Sequence, residues 1–128
     1  MKRICHIIDF SDTFNRYICV DKNEADIIAD FLGEHEGQFQ RISDRILEQR
    51  FMKFTNFFPL VGYDNLWEMR FNVGGANGRI YCQEIRNKQG YICIVMSRLL
   101  DKKKVTKWDK SIIQIAKAIE KYEYEIED

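Results

Sequence analysis

Proline occurs once, at Pro59, and the seven glycines never combine with proline or serine into a low-complexity stretch. A flexible linker needs such a stretch, so the sequence predicts one domain spanning residues 1–128. No apolar run approaches the roughly 20 residues of a membrane span. The opening, MKRICHIIDFSD, carries two basic residues and a short apolar run. That run stops at Asp9 without a small-residue cleavage site, so no secretory leader is expected there.

Neither cysteine nor histidine is patterned for metal. Cys5, Cys19, Cys82 and Cys93 form no C-x-x-C pair, and His6 and His35 are remote in sequence from Cys82 and Cys93. No metal or cofactor is expected. Four reduced, mostly buried thiols and a cytoplasmic location are the corresponding expectation. The segment Gly74-Gly75-Ala76-Asn77-Gly78 is glycine-rich but leads into a strand pattern rather than a helix, which excludes a nucleotide-binding loop. There is no G-x-S-x-G, no H-E-x-x-H and no Cys–His dyad.

Net charge is zero, but it is unevenly spread. Residues 1–63 hold 8 Lys/Arg against 10 Asp/Glu, residues 64–110 hold 10 against 5, and residues 111–128 hold 2 against 5. A basic middle between acidic ends points to one face that meets an anionic partner.

With 45% hydrophobic and 13% aromatic residues, the chain can build a core. Residues 3–10 read as a strand, and Tyr17–Val20 as a second short one. Asp21–Glu24 resembles a helix start, followed by Ala25, Ile28, Ala29 and Leu32 at helical spacing. A second helix is predicted from Gln38 to Phe54, and residues 55–65 read as a loop. The period then changes to two: Trp67, Met69, Phe71 and Val73 alternate with Glu68, Arg70 and Asn72. Two more strands, 79–86 and 91–98, follow the turns 74–78 and 87–90. A basic loop, 99–107, leads to a last helix beginning at Trp108 or Asp109, and the acidic tail 123–128 is expected to fray. This is an α+β pattern: an N-terminal strand and helix pair, a three-strand antiparallel meander, and a C-terminal helix, with helices on one sheet face.

If Asn87–Gly90 is a four-residue loop, Arg79 lies opposite Arg98, Tyr81 opposite Met96 and Gln83 opposite Ile94. A four-residue turn at 74–77 sets Arg70 opposite Tyr81 and Asn72 opposite Arg79. One face then carries Glu68, Arg70, Asn72, Arg79, Tyr81, Gln83 and Arg98. The other carries Trp67, Met69, Phe71, Val73, Ile80, Cys82, Cys93 and Val95, and is the expected core. Like charges facing each other across strands are destabilising unless an anion or nearby acids neutralise them. Lys102, Lys103, Lys104 and Lys107 would border the same face.

The stretch Val61-Gly62-Tyr63-Asp64-Asn65-Leu66-Trp67-Glu68-Met69-Arg70-Phe71, then Gly74-Gly75 and Arg79-Ile80, resembles the signature of RelE/HigB-type toxins of type II toxin–antitoxin systems. The resemblance covers about residues 21–122. It implies a RelE-like fold and a ribosome-dependent mRNA endoribonuclease. The reaction is attack of a ribose 2′-hydroxyl on the adjacent phosphate, without metal. It implies Arg70 and Arg79 as catalytic cations and Lys102–Lys104 as the RNA-binding loop. The strand register adds Arg98, and Glu68 and Tyr81 are what remains for acid–base work. Implied partners are a helix-turn-helix antitoxin and mRNA on the ribosome. The signature resembles above all the branch related to phage Gp49-like proteins, and Ser97 stands where members of that branch usually have a histidine or similar polar residue. A ParE-like toxin that inhibits gyrase without catalysis, or a catalytically silent RelE-fold binding domain, is compatible with the same scaffold.

Overall fold

The computed structural model describes residues 1–48, 56–71, 78–100 and 110–127. Two antiparallel strands, β1 (Lys2–Ser11) and β2 (Arg16–Asp21), open the chain. A single 3₁₀ turn, Lys22–Glu24, leads into α1 (Ala25–Glu34) and α2 (Glu36–Glu48). The strands β3 (Phe57–Pro59), β4 (Leu66–Phe71), β5 (Gly78–Arg86) and β6 (Ile92–Leu100) follow, then α3 (Lys110–Ile119) and β7 (Glu123–Glu127). Among the described residues, seven strands form one mixed sheet in the order β3-β4-β5-β6-β2-β1-β7, with β2 parallel to β6 and β7 parallel to β1. The fold is α+β. Among the described residues no helix is long and apolar enough to cross a membrane.

The helix pair packs on one face. Ile28 and Phe31 of α1 and Ile42, Ile46 and Leu47 of α2 bury themselves against Trp67, Met69, Phe71, Ile80, Cys82, Ile94 and Met96. Gly78 fixes how closely α1 can approach, because a Cβ there would lie 2.2 Å from Phe31 Cζ. Leu60, Leu66 and Tyr81 pack on the opposite face with Ile112, Ile115, Ala116 and Ile119 of α3. The expectation of helices on one face only is therefore corrected. The apolar stripe of α3 needs a sheet face, and it is buried against the second one.

The turn at 87–90 explains a second correction. Asn87 donates its backbone N–H to Tyr91 O at 3.0 Å, closing a three-residue loop rather than a four-residue one. The Asn87 carboxamide accepts from the backbone N–H of Gln89 and Tyr91, and Gly90 takes φ +85°. This is a tight turn closed by a left-handed glycine. Losing one loop residue shifts β6 by one and turns its side chains over. Cys82 now pairs with Met96 and Gln83 with Val95. Cys93 and Val95 thus leave the expected core face and join Cys5 and Cys19 on the other. A bulge between Tyr81 and Cys82 then absorbs Ser97, so that Tyr81 pairs with Arg98 and Arg79 with Leu100.

Two elements fall where loop and frayed tail were expected. β3 pairs Phe58 with Glu68, and β7 runs beside β1 from Lys2↔Glu123 to His6↔Glu127. Glu123, Glu125 and Glu127 are exposed along this last strand, a charged edge that discourages pairing with another chain.

Candidate functional site

Strand alternation sends Glu68, Arg70, Arg79, Tyr81 and Gln83 to the face opposite the helix pair. Across β4 and β5, Glu68 stands opposite Tyr81 and Arg70 opposite Arg79. This register is two residues from the expected one, which preserves the face of every side chain. Two arginines face each other, and one carboxylate lies between them. Glu68 Oε2 accepts from Arg70 Nε at 3.2 Å, and it is 3.1 Å from the terminal nitrogen of Arg70 and 3.8 Å from Arg79 Nε. Neutralisation by a local acid is thus how the sheet tolerates the pair.

Burial divides the cluster. Arg79, Glu68 and Tyr81 are almost fully enclosed, whereas the Arg70 side chain is 34% exposed. Arg70 also lies 4.8 Å over the ring of Phe58, so the short strand β3 supplies the aromatic platform for the accessible cation. The Tyr81 hydroxyl is pushed up to about 12, first by burial and then by the Glu68 charge, against the opposing pull of Arg79 and Arg70. At neutral pH Tyr81 is therefore a proton donor and never a phenolate.

Arg98 stands opposite Tyr81, but its side chain goes elsewhere. Its Nε is 3.6 Å from Glu24 Oε1 in the 3₁₀ turn, and the pair is partly exposed. Of the five residues expected to carry catalysis, four form one contact cluster, and Arg98 borders it with its own acid. Lys102, Lys103, Lys104 and Lys107, expected to bind RNA, and Asn72 and Val73 lie outside the described residues.

A second polar network was not foreseen. Asp21, fully buried, accepts from Arg3 Nε at 2.6 Å, from Tyr124 at 2.6 Å and from the backbone N–H of Asn23 at 2.8 Å. Tyr124 Oη also lies 2.8 Å from Ser97 Oγ. The phenolic hydroxyl is thus within donating reach of both Asp21 and Ser97, while the Ser97 hydroxyl donates to Val95 O at 3.0 Å. Burial first, and then the bond to Asp21, push the Tyr124 hydroxyl above its ordinary range. The Arg3 guanidinium rests 4.2 Å over the Tyr122 ring. These contacts fasten the first strand, the last strand and the β6 bulge together. Asp21 was legible only as a helix cap. Its other partners are 18 and 103 residues away in sequence.

All four cysteines are buried and none is in a disulfide. Cys19 contacts both Cys5 and Cys93, and these contacts, with burial, push its thiol far above the ordinary range. Among the described residues no group of three or more His, Cys, Asp or Glu is arranged to hold a metal ion. Compared with known protein families, characterised proteins and solved structures, the chain matches none, so a functional reading stands on this geometry and on the sequence signature.

Proposed function

We propose that this chain is the toxin half of a toxin–antitoxin pair, an RNA-cleaving domain whose phosphate-contacting surface is the polar face of β4, β5 and β6. The observation that carries the reading is one Glu68 carboxylate oxygen shared by Arg70 and Arg79, with Tyr81 directly opposite Glu68 on the neighbouring strand. Element order supports it as well. The helix pair, the antiparallel β4–β6 and α3 follow one another in an order compatible with the resemblance, with β3 and β7 in addition to the expected strands.

The chemistry needs little beyond these groups. An RNA phosphate would displace Glu68 as the counter-ion of the arginines, Arg70 first because it is the exposed one. The freed carboxylate then accepts the proton of the ribose 2′-hydroxyl, which attacks the adjacent phosphorus. Tyr81, protonated at neutral pH, gives its proton to the departing 5′-oxygen. The products are a 2′,3′-cyclic phosphate and a 5′-hydroxyl, with Arg79 holding the charge that builds on the phosphoryl oxygens. Because α3 covers Tyr81, substrate reaches it only when α3 yields. The cognate antitoxin, a helix-turn-helix protein in this reading, would bind the closed form.

A second reading, a catalytically silent binding domain of the same scaffold, is favoured by one observation: Glu68 already engages both arginines and Tyr81 is enclosed. Controlled expression separates the two. The proposal expects growth arrest with loss of translation by the natural chain and none by Arg79→Ala or Tyr81→Phe, each checked for folding by circular dichroism. Arrest that persists in the folded variants would sink the catalytic assignment. Arrest with DNA damage instead of translation loss would identify a gyrase inhibitor.

A further inference from the structure

We infer that Cys19 and Cys93 are a reversible redox pair, joined into a disulfide by hydrogen peroxide across the seam between β2 and β6. That seam links the strands β7-β1-β2 to β3 and the meander β4–β6. Cys5, Cys19 and Cys93 lie on three adjacent strands in one fully buried cluster. Their register puts them on one face, two residues apart. Cys5 opposes Asp21 where Cys19 opposes Ile7, and Cys93 opposes Tyr17 where Cys19 opposes Val95. Diagonal neighbours of this kind are within reach of one another. Cys19 is the middle thiol, in contact with Cys5 and with Cys93. A thiol buried singly is a small apolar group, as Cys82 is in the core under the helix pair. Thiols buried in contact can also exchange electrons.

Two features single out Cys93 as the thiol that reacts first. Its sulfur accepts from Cys19, which pulls the thiol below its ordinary value; burial opposes this, and the Asn87 backbone adds to the pull. Its own proton points to Tyr91 O at 3.7 Å, a long contact that holds it weakly. More thiolate means faster attack on peroxide. The second feature is access. Ile7, Tyr17, Ile85, Tyr124 and Ile126 pack on the thiol cluster and also line a groove of about 630 Å³. One layer of side chains thus separates the sulfurs from the groove, and local opening admits a small uncharged oxidant. The Cys93 thiolate attacks a peroxide oxygen, the O–O bond breaks, and the hydroxide takes up the Cys93 proton and leaves as water. Cys19 then attacks the sulfenic sulfur, the S–O bond breaks, and the departing hydroxide leaves with the Cys19 proton as a second water. The two thiols have lost two electrons and two protons. Diagonal positions lie about 7–8 Å apart and an unstrained bridge spans about 4.4–6.8 Å, so the bond must draw β2 toward β6. A bridge formed that way is readily reduced, which suits a switch rather than a permanent staple. These thiols share no residue with the arginine cluster, so the inference stands independently of the nuclease reading.

Trypsin cleavage at Arg16, Arg79, Arg86 and Lys88 places the four cysteines on four separate peptides. Reduced full chain is therefore treated with hydrogen peroxide in native buffer, its remaining thiols are alkylated in urea, and the digest is mapped by mass spectrometry. The expected product joins the Cys19 and Cys93 peptides at about 2 Da below the sum of their masses. Cys82 stays alkylatable, and dithiothreitol removes the link. Cys5→Ala should keep the link and Cys93→Ala should lose it, each checked for folding by circular dichroism; the map of the natural chain decides even where a variant fails to fold. Four alkylatable thiols after peroxide, a Cys93 that stops at sulfinic acid, a link from Cys19 to Cys5 instead, or Cys82 oxidised as fast as Cys93 would each overturn the inference.

Discussion

Replacing Glu68 by glutamine removes one negative charge and almost no volume from the centre of the arginine cluster. The side chain is 6% exposed, as buried as its partner Arg79 at 5%. Leaving one member of a buried pair without its counter-charge costs about 3–5 kcal/mol. The contact with Arg70, a third exposed, is screened by water and contributes at most about 1 kcal/mol. The new carboxamide still accepts one hydrogen bond, recovering about 1 kcal/mol. A net loss of about 3 kcal/mol follows, read as a lower urea midpoint at an unchanged slope. A second reporter is Tyr81. Glu68 is the second cause holding its hydroxyl up near 12, so in Glu68→Gln the Tyr81 ring carbon should titrate at lower pH. A loss below about 0.5 kcal/mol with an unshifted Tyr81 titration would refute the view that Glu68 neutralises the two arginines.

Further outcomes follow from the same contacts. The Tyr81 hydroxyl titrates higher in the folded chain than its ordinary value near 10, so its contribution is complete below pH 10 and lost as pH rises through about 12. Alkaline urea titrations should show the natural chain losing about 3 kcal/mol more than Tyr81→Phe across that window. Tyr124→Phe removes a donor from buried Asp21 and should cost about 1–3 kcal/mol, measured by denaturant unfolding. Asp21→Ala strands the Arg3 guanidinium and removes the cap of the 3₁₀ turn, and should cost more than Tyr124→Phe. Gly78→Ala sets a methyl 2.2 Å from Phe31 Cζ and should cost about 1–3 kcal/mol by thermal melting, with Phe31→Leu in the same chain restoring part of it.

The sheet face of the candidate site residues was more legible than their setting. Period-two alternation fixes which face Glu68, Arg70, Arg79 and Tyr81 occupy, and a register error of two residues between β4 and β5 changes no face. An error of one between β5 and β6 changes every face, and it came from a single loop residue at Asn87–Gly90. Only the backbone bond from Asn87 to Tyr91 decides that length. The bulge at Ser97 then returned Arg98 to the side of Tyr81, for a reason no local pattern carries. β7 looked like an acidic tail because its alternating glutamates are solvent-facing. Its backbone pairs with β1, more than a hundred residues earlier, and its tyrosine reaches Asp21 at the end of β2 and Ser97 on β6. Phe57–Pro59 contains the one proline and reads as loop, yet an edge strand three residues long needs few backbone donors.

Whether the polar face of β4–β6 cleaves RNA is addressed directly by one measurement. Purified chain is added to ribosomes translating a defined mRNA, and the ends of any fragments are identified chemically. Cleavage leaving 2′,3′-cyclic phosphate and 5′-hydroxyl ends, unaffected by a metal chelator, slowed by Arg70→Ala and abolished by folded Arg79→Ala, is the predicted result. Intact mRNA in the presence of folded natural chain, or fragments bearing 5′-phosphates, would contradict it.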